Sequence, residues 1–406
     1  MAVRLDAAAT GEGMLPVFQP IVSLPDEAIV GFEALARWPG LPDCAPETVF
    51  SHAADIGVID TLDRLCTDSA IAAALSAHLR RGTLVCVNAE PSTAYAGRSG
   101  DPVLARAHDE LTLMFEITER SLLARPHLLL RKIAALRADG FAIALDDVGA
   151  HPDSLALLDV ILPDVIKLDL ALVQEQPSYA QARTLAAVLA HHERTDAVIL
   201  AEGIETEDHL EQALAVGATL GQGFRFGHPG PLDRDSTASW FPPPRTGPHD
   251  SGTGSPFDRV AGTSPVRTAR KQTLTALSRN IESQAAHADD RPMVFTALQR
   301  DQHFTGATRD RYRDLATTCP LVAVFGQNLP TDLGFGVRGV ELDPADPLCA
   351  EWTVVALGPH NATALIAREH AHERTCRDGD RRFDFVITYD RSLVTAAARD
   401  LLDRMQ

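Results

Sequence analysis

The sequence predicts a mixed α/β fold: a modified, closed eight-stranded β/α barrel opened by an antiparallel hairpin, then a smaller α/β or α+β domain. Three observations predict it. Eight short apolar runs, most of them rich in β-branched residues, follow one another over the first ~220 residues with amphipathic stretches between most of them. From Phe241 the composition turns to Pro, Gly, Ser and Thr, and strand-like runs then resume. At 406 residues the chain is also too long for one ordinary core.

The eight runs are Val17–Val22, Ile29–Glu33, Leu84–Val87, Leu111–Phe115, Phe141–Leu145, Val165–Leu168, Val198–Ala201 and Gly221–Phe224. Stretches such as Leu128–Arg137 and Ala180–His191 supply the helices between them. The first two runs are too close for a crossover helix, so they are expected to pair antiparallel. The expected organisation is a barrel over residues 14–240, a flexible linker over 241–270 and a second domain over 271–406. In that domain a helix is expected near Gln272–Ala286, with strands at Met293–Phe295, Leu321–Phe325, Trp352–Ala356 and Phe383–Ile387.

Hydrophobic residues make up 45% of the chain and charged residues 23%, a globular composition. The formal net charge of −18 argues against a surface for nucleic-acid polymers, which needs a basic face. Six scattered cysteines, Cys44, Cys66, Cys86, Cys319, Cys349 and Cys376, form neither a CxxC pair nor a cluster with histidines. The first residues lack the apolar core of a signal peptide, and no apolar stretch approaches a membrane span. A soluble, cytoplasmic protein without a membrane partner is the expectation.

Acidic residues stand where these runs end: Glu33, Glu116, Asp146, Asp147 and Glu202, with Asn88 at the end of another. Singly, each reads equally well as a helix cap or a surface carboxylate, and Asn88 as the cap of the segment after it. Together they do not. Ionised carboxylates rarely enter a core unless they are paired or bound to metal, and barrel chemistry collects at the C-terminal ends of the strands. An all-oxygen set of this size suits two ions such as Mg²⁺ or Mn²⁺, and a two-ion centre clamps the attacking and leaving oxygens of a phosphodiester.

Lys167 ends a further run, and the chain has only two other lysines, Lys132 and Lys271, among 37 basic residues. A compact ammonium beside carboxylates and metal would orient or help activate the attacking water. The plainer reading pairs it with Asp169 on the same strand face.

The motifs carrying these residues resemble the EAL-domain family. They are Glu33-Ala34-Leu35 within Gly-Phe-Glu-Ala-Leu-Ala-Arg-Trp, Glu116-Ile-Thr-Glu119, Leu145-Asp-Asp147, Ile166-Lys-Leu-Asp169, Ala201-Glu-Gly-Ile-Glu-Thr206 and Gly221-Gln-Gly-Phe-Arg-Phe-Gly227, in the usual order over roughly residues 14 to 236. The resemblance implies a modified TIM barrel that hydrolyses cyclic di-GMP to linear pGpG with two Mg²⁺ or Mn²⁺ ions, as a homodimer. It implies metal ligation by Glu33, Asn88, Glu116, Asp146, Asp147 and Glu202, with Lys167 and Gln222 positioning or polarising the water. Gln19, Leu35 and Arg37 would contact the nucleotide, Arg37 through a phosphate. Glu119 and Glu205 would hold the loop after Asp147. Without the resemblance, Arg37 reads as a surface salt bridge and Gln19 as a strand-end polar residue.

That loop departs from the family's usual Phe-Gly-x-Gly-x-Ser-Ser: the chain has Val148-Gly-Ala-His-Pro-Asp-Ser154, with His151 at a glycine position and Pro152 after it. A left-handed backbone there would be strained. The complete ligand set favours an enzyme; the alternative is a cyclic di-GMP receptor or signalling scaffold that has lost turnover.

Leu321-Val-Ala-Val-Phe-Gly326, Asp346-Pro-Leu-Cys-Ala-Glu-Trp352 and Ala364-Leu-Ile-Ala-Arg368 resemble the DICT domain of bacterial signalling proteins. That resemblance implies a sensory domain for an unidentified small-molecule or protein signal. Trp352 and Phe325 read as core more readily than as a pocket lining. His370 and His372 beside Glu369 and Glu373 read as a solvated helix face rather than a metal site.

Overall fold

A computed structural model describes residues 2–90, 92–95, 97–118, 125–150, 152–232, 238–244, 254–300, 304, 306–370 and 381–405. The chain divides into two compact units, the bulk of each lying on either side of residue 246. No helix among the described residues is long and apolar enough to cross a membrane.

The first unit is a closed barrel of β1 (Leu15–Ser23), β2 (Ile29–Arg37), β3 (Thr83–Asn88), β4 (Leu111–Thr118), β5 (Ala142–Val148), β6 (Val165–Leu168), β7 (Val198–Ala201) and β8 (Leu220–Gln222). β1 runs antiparallel to both of its neighbours, β2 and β8; the other neighbouring pairs are parallel. Helices Pro126–Ala138 and Tyr179–Thr195 contain the two predicted amphipathic stretches. The second is fixed by a capping box between Ser178 and Gln181 and ends at Asp196, whose φ is 59°.

All eight strands contribute to one interior cluster: Ile21, Val30, Leu84, Cys86, Met114, Ala142, Ala144, Val165, Leu200 and Leu220. Side chains alternate along a strand, so each inward row continues two residues on. That step takes Cys86 to Asn88, Met114 to Glu116, Ala144 to Asp146, Val165 to Lys167, Leu200 to Glu202 and Leu220 to Gln222. The apolar floor therefore passes into a polar rim at one end of the barrel.

β2 reaches the same rim through an irregularity. Ile21 pairs with Gly31 but Val22 with Ile29, so Val30 is an extra residue and Gly31 and Glu33 join the inward row opposite Leu84 and Cys86. Gly31 tolerates no side chain, since a Cβ there would lie 2.2 Å from the Leu84 carbonyl oxygen. Helix Ala2–Ala9, ahead of the predicted barrel start at residue 14, packs with helix Pro46–Asp55 in a cluster that includes Ala8, Ala9, Met14, Trp38, Val49 and Ala53.

The second unit is built on a seven-stranded mixed sheet. Its strands are β9 (Arg267–Arg270), β10 (Met293–Arg300), β11 (Val322–Gln327), β12 (Val337–Glu341), β13 (Glu351–Leu357), β14 (Ala362–Glu369) and β15 (Arg382–Thr388), in the order β12-β11-β10-β13-β14-β15-β9. β10, β11 and β12 are mutually parallel and the remaining pairs antiparallel. Helices Lys271–Ala286 and Arg391–Leu402 both pack on β13 and β14. Phe325 is fully buried, and Trp352 packs edge-on to Phe383 at 5.8 Å, as core residues. His370 lies 2.8 Å from Asp384, while His372 and Glu373 fall outside the described residues.

The expected linker over 241–270 is folded in its second half. Ser255 caps helix Pro256–Ala261, and Arg267–Arg270 pairs with β15. The helix is anchored within the unit: fully buried Glu351 accepts the Phe257 N–H at 3.2 Å and pairs with Arg368 at 2.8 Å, and the Arg368 guanidinium lies 4.6 Å from the centroid of the Phe257 ring.

Candidate active site

Lys167 stands at the centre of the polar rim with 1% of its surface exposed. Its Nζ is 2.8 Å from Glu202 Oε1, 2.9 Å from Asp146 Oδ1, 3.0 Å from Glu116 Oε2 and 3.6 Å from Glu33 Oε1. The plainer reading of Lys167 does not describe this arrangement. Asp169 instead caps helix Leu170–Gln174, its carboxylate accepting the Ala171 N–H at 2.9 Å.

In a regular strand Asp146 and Asp147 would point to opposite faces. They converge because β5 bulges between Leu145 and Val148 against β6, and Asp147 takes a left-handed φ of 55°. One side-chain oxygen from each of Asp146, Asp147 and Glu202 then falls within 4.8 Å of the others. Gly149 follows at φ 104° with the Leu172 side chain under it, where a Cβ would lie 2.4 Å from Leu172 Cδ1. His151 lies outside the described residues, as does Glu119.

The remaining predicted residues sit around this centre. Buried Gln222 donates through Nε2 to Glu33 Oε2 at 2.7 Å. Gln19 pairs across the hairpin with Glu33, and its Nε2 lies 3.4 Å from the Gly227 carbonyl oxygen. Leu35 and Arg37 follow Glu33 along the same row and are half-buried; Arg37 Nη1 donates to the Ala36 carbonyl at 2.9 Å. Asn88 is exposed at the end of β3, in register with Glu116. Glu205 is exposed just ahead of Thr206, the cap of helix Glu207–Ala215. Three residues not singled out as site residues, Asp63, Thr93 and Lys132, form a buried network behind the loop that leaves Asn88. The rarity of lysine was the one signal for them.

The electrostatics follow from four carboxylates sharing one ammonium. Burial, reinforced by Glu33, drives Glu116 well above the ordinary carboxylate range. Burial also pushes Glu202 up to about 8, with Lys167 opposing and Asp146 and Glu33 adding. For Lys167, burial acts downward, but Asp146, Glu116, Glu202 and Glu33 outweigh it and hold the amine well above its usual value. The ammonium stays charged and the carboxylates remain short of positive charge.

The donor set fits hard divalent cations. The buried carboxylates of Glu116 and Asp146 share the one Lys167 ammonium with Glu33 and Glu202, so four carboxylates converge on a single positive charge. The donors are all oxygen, as Mg²⁺ and Mn²⁺ prefer.

Residues 2–229 match the family model described as EAL domain, and residues 258–370 match the model described as a sensory domain in diguanylate cyclases and two-component systems, DICT. The cyclic di-GMP phosphodiesterase RocR of Pseudomonas aeruginosa is 27% identical over 222 residues, covering 53% of this chain and 57% of that protein. The probable cyclic di-GMP phosphodiesterase PdeG of Escherichia coli is 28% identical over 225 residues, covering 53% and 44%. Among solved structures, the Klebsiella pneumoniae BlrP1 manganese/cyclic di-GMP complex is 28% identical over 54% of this chain and 57% of its own, with a TM-score of 0.46. The chain thus spans about half the length of these curated relatives. With residues 2–229 inside the family match, more than half of its length, this chain belongs to the EAL domain family.

Proposed function

We propose that the barrel hydrolyses cyclic di-GMP to linear pGpG, using two divalent ions, Mg²⁺ or Mn²⁺. The observation that carries this is the convergence of Glu33, Glu116, Asp146 and Glu202 on buried Lys167 at the open end of the barrel. The relatives named cyclic di-GMP phosphodiesterases support the choice of substrate.

In this reading Glu33, Asn88, Glu116, Asp146, Asp147 and Glu202 hold the ions. When bound, the ions polarise the phosphodiester and ease deprotonation of the attacking water. Lys167 stays protonated and aims a hydrogen bond at that water; Glu202, its nearest carboxylate, takes up the proton as the water oxygen bonds to phosphorus, the P–O3′ bond breaks, and the departing O3′ oxygen takes a proton from solvent. Gln222 fixes the rotamer of Glu33 through their 2.7 Å bond. Gln19, Leu35 and Arg37 line the rim beside Glu33, where a dinucleotide would lie, and Arg37 pairs with a phosphate. Glu119 and Glu205 steady the loop after Asp147. The second unit acts as a sensor that sets the activity of a homodimeric enzyme in the cytoplasm.

The test is direct. Purified chain with cyclic di-GMP and Mn²⁺ should yield pGpG by chromatography; Glu33→Ala should lose the product and the exposed control Glu12→Ala should keep it. Equal product from Glu33→Ala would overturn the assignment.

A further inference from the structure

The loop that leaves β3 after Asn88 is gripped by buried charges from two separate helices. Its first peptide is tied to the neighbouring strand, Ala89 N–H donating to the Glu116 carbonyl at 3.0 Å. Residue 90 is then held at both of its backbone groups. Asp63 Oδ1 accepts the Glu90 N–H at 2.9 Å, and Lys132 Nζ donates to the Glu90 carbonyl at 2.6 Å. Thr93 closes the network, its hydroxyl donating to Asp63 Oδ2 at 2.5 Å and accepting from Lys132 Nζ at 2.8 Å. The two charges are 3.6 Å apart. Asp63 comes from helix Ile59–Ser76 and Lys132 from helix Pro126–Ala138, and only 8% and 7% of their surfaces are exposed.

Stability is a weak reason for such a pair. Removing two charges from water costs several kcal/mol per ion, and well-packed apolar residues of similar volume commonly stabilise a protein as well or better. What apolar residues would not do is hold one loop residue at both its N–H and its C=O. That residue stands two after Asn88, which itself lies in register with Glu116.

We propose that Asp63 and Lys132 are positioning residues for the metal centre: by clamping Glu90 and Thr93 they fix the start of the loop, and so where the Asn88 side chain stands relative to Glu116. The role rests on the reading of Asn88 as a metal ligand given above. Partners that orient ligands from behind typically contribute 10–100-fold to metal affinity.

The experiment is a double-mutant cycle read by Mn²⁺ titration calorimetry on the full chain, with circular dichroism to confirm folding. Lys132→Met should weaken Mn²⁺ binding about 10-fold, as should Asn88→Ala, and the double variant should bind no more weakly than Asn88→Ala alone. Thr93→Val keeps both charges and the side-chain volume and should weaken binding too; it decides the matter if Lys132→Met fails to fold. Folded variants that bind Mn²⁺ like the wild type, or losses that simply add, would overturn the positioning role and leave the metal reading intact. A wild-type chain that binds no Mn²⁺ would overturn both.

Discussion

Lys167→Met separates the charge of the ammonium from its volume. Its Nζ lies within 3.0 Å of three carboxylates and 3.6 Å of a fourth, at 1% exposure, so the variant takes from the cluster its one buried positive charge. Removing one partner of a buried pair costs about 3–5 kcal/mol. For a unit of this size that corresponds to a loss of about 6–20 °C in Tm. The assay is thermal unfolding in the presence of a chelator, followed by calorimetry. Mn²⁺ replaces the missing positive charge, and an ion at 100 times its Kd contributes about 2.7 kcal/mol, so roughly half of the deficit or more should return on its addition. A Lys167→Met chain as stable as wild type in chelator, or one that Mn²⁺ does not rescue, would refute the argument that this ammonium compensates a metal-binding carboxylate cluster.

Two further outcomes are expected. Gly149→Ala places a Cβ 2.4 Å from Leu172 Cδ1 at a φ of 104°, two residues after Asp147; it should cost about 1–3 kcal/mol in urea unfolding, and an unchanged midpoint would contradict the strained geometry. The second concerns pH. In metal-free protein Glu202 is pushed up to about 8 from an ordinary 4.5. Between those values the folded chain holds more protons than the unfolded one, so stability falls as pH rises from about 4.5 to 8. The urea midpoint in chelator should be lower at pH 8 than at pH 5, and Mn²⁺ should flatten the slope; a midpoint that rises with pH would contradict it.

The barrel was legible because its strands are short apolar runs closed by polar residues, and two of them, Val165–Leu168 and Val198–Ala201, coincide with the predicted bounds. Most of the ring of acids was legible for the same reason, standing where the apolar part of an inward row gives way to polar residues. What lay beyond reach depends on backbone geometry. Nothing in Leu-Asp-Asp-Val marks Asp147 as the left-handed residue of a bulge, although that alone lets two adjacent carboxylates face one site. Val30 as an extra residue in β2 is equally silent.

In the second unit, β12 and β14 were not predicted as strands; β12 is five residues long and carries Gly339. The helix Pro256–Ala261 was hidden by the Gly/Ser/Pro composition around it, yet its start carried a readable signal, Ser255 as cap and Pro256 at the first helical position. Asp63 and Lys132 lie within helical stretches far apart in sequence, and only folding brings them to one loop.

The most direct test of the whole account is the fate of cyclic di-GMP over a Mn²⁺ titration from chelated buffer to millimolar ion. Linear pGpG is the expected product, formed only when the ion is present. Tight binding of cyclic di-GMP without pGpG at any Mn²⁺ concentration, at protein concentrations where a dimer has formed, would contradict it and make the barrel a receptor.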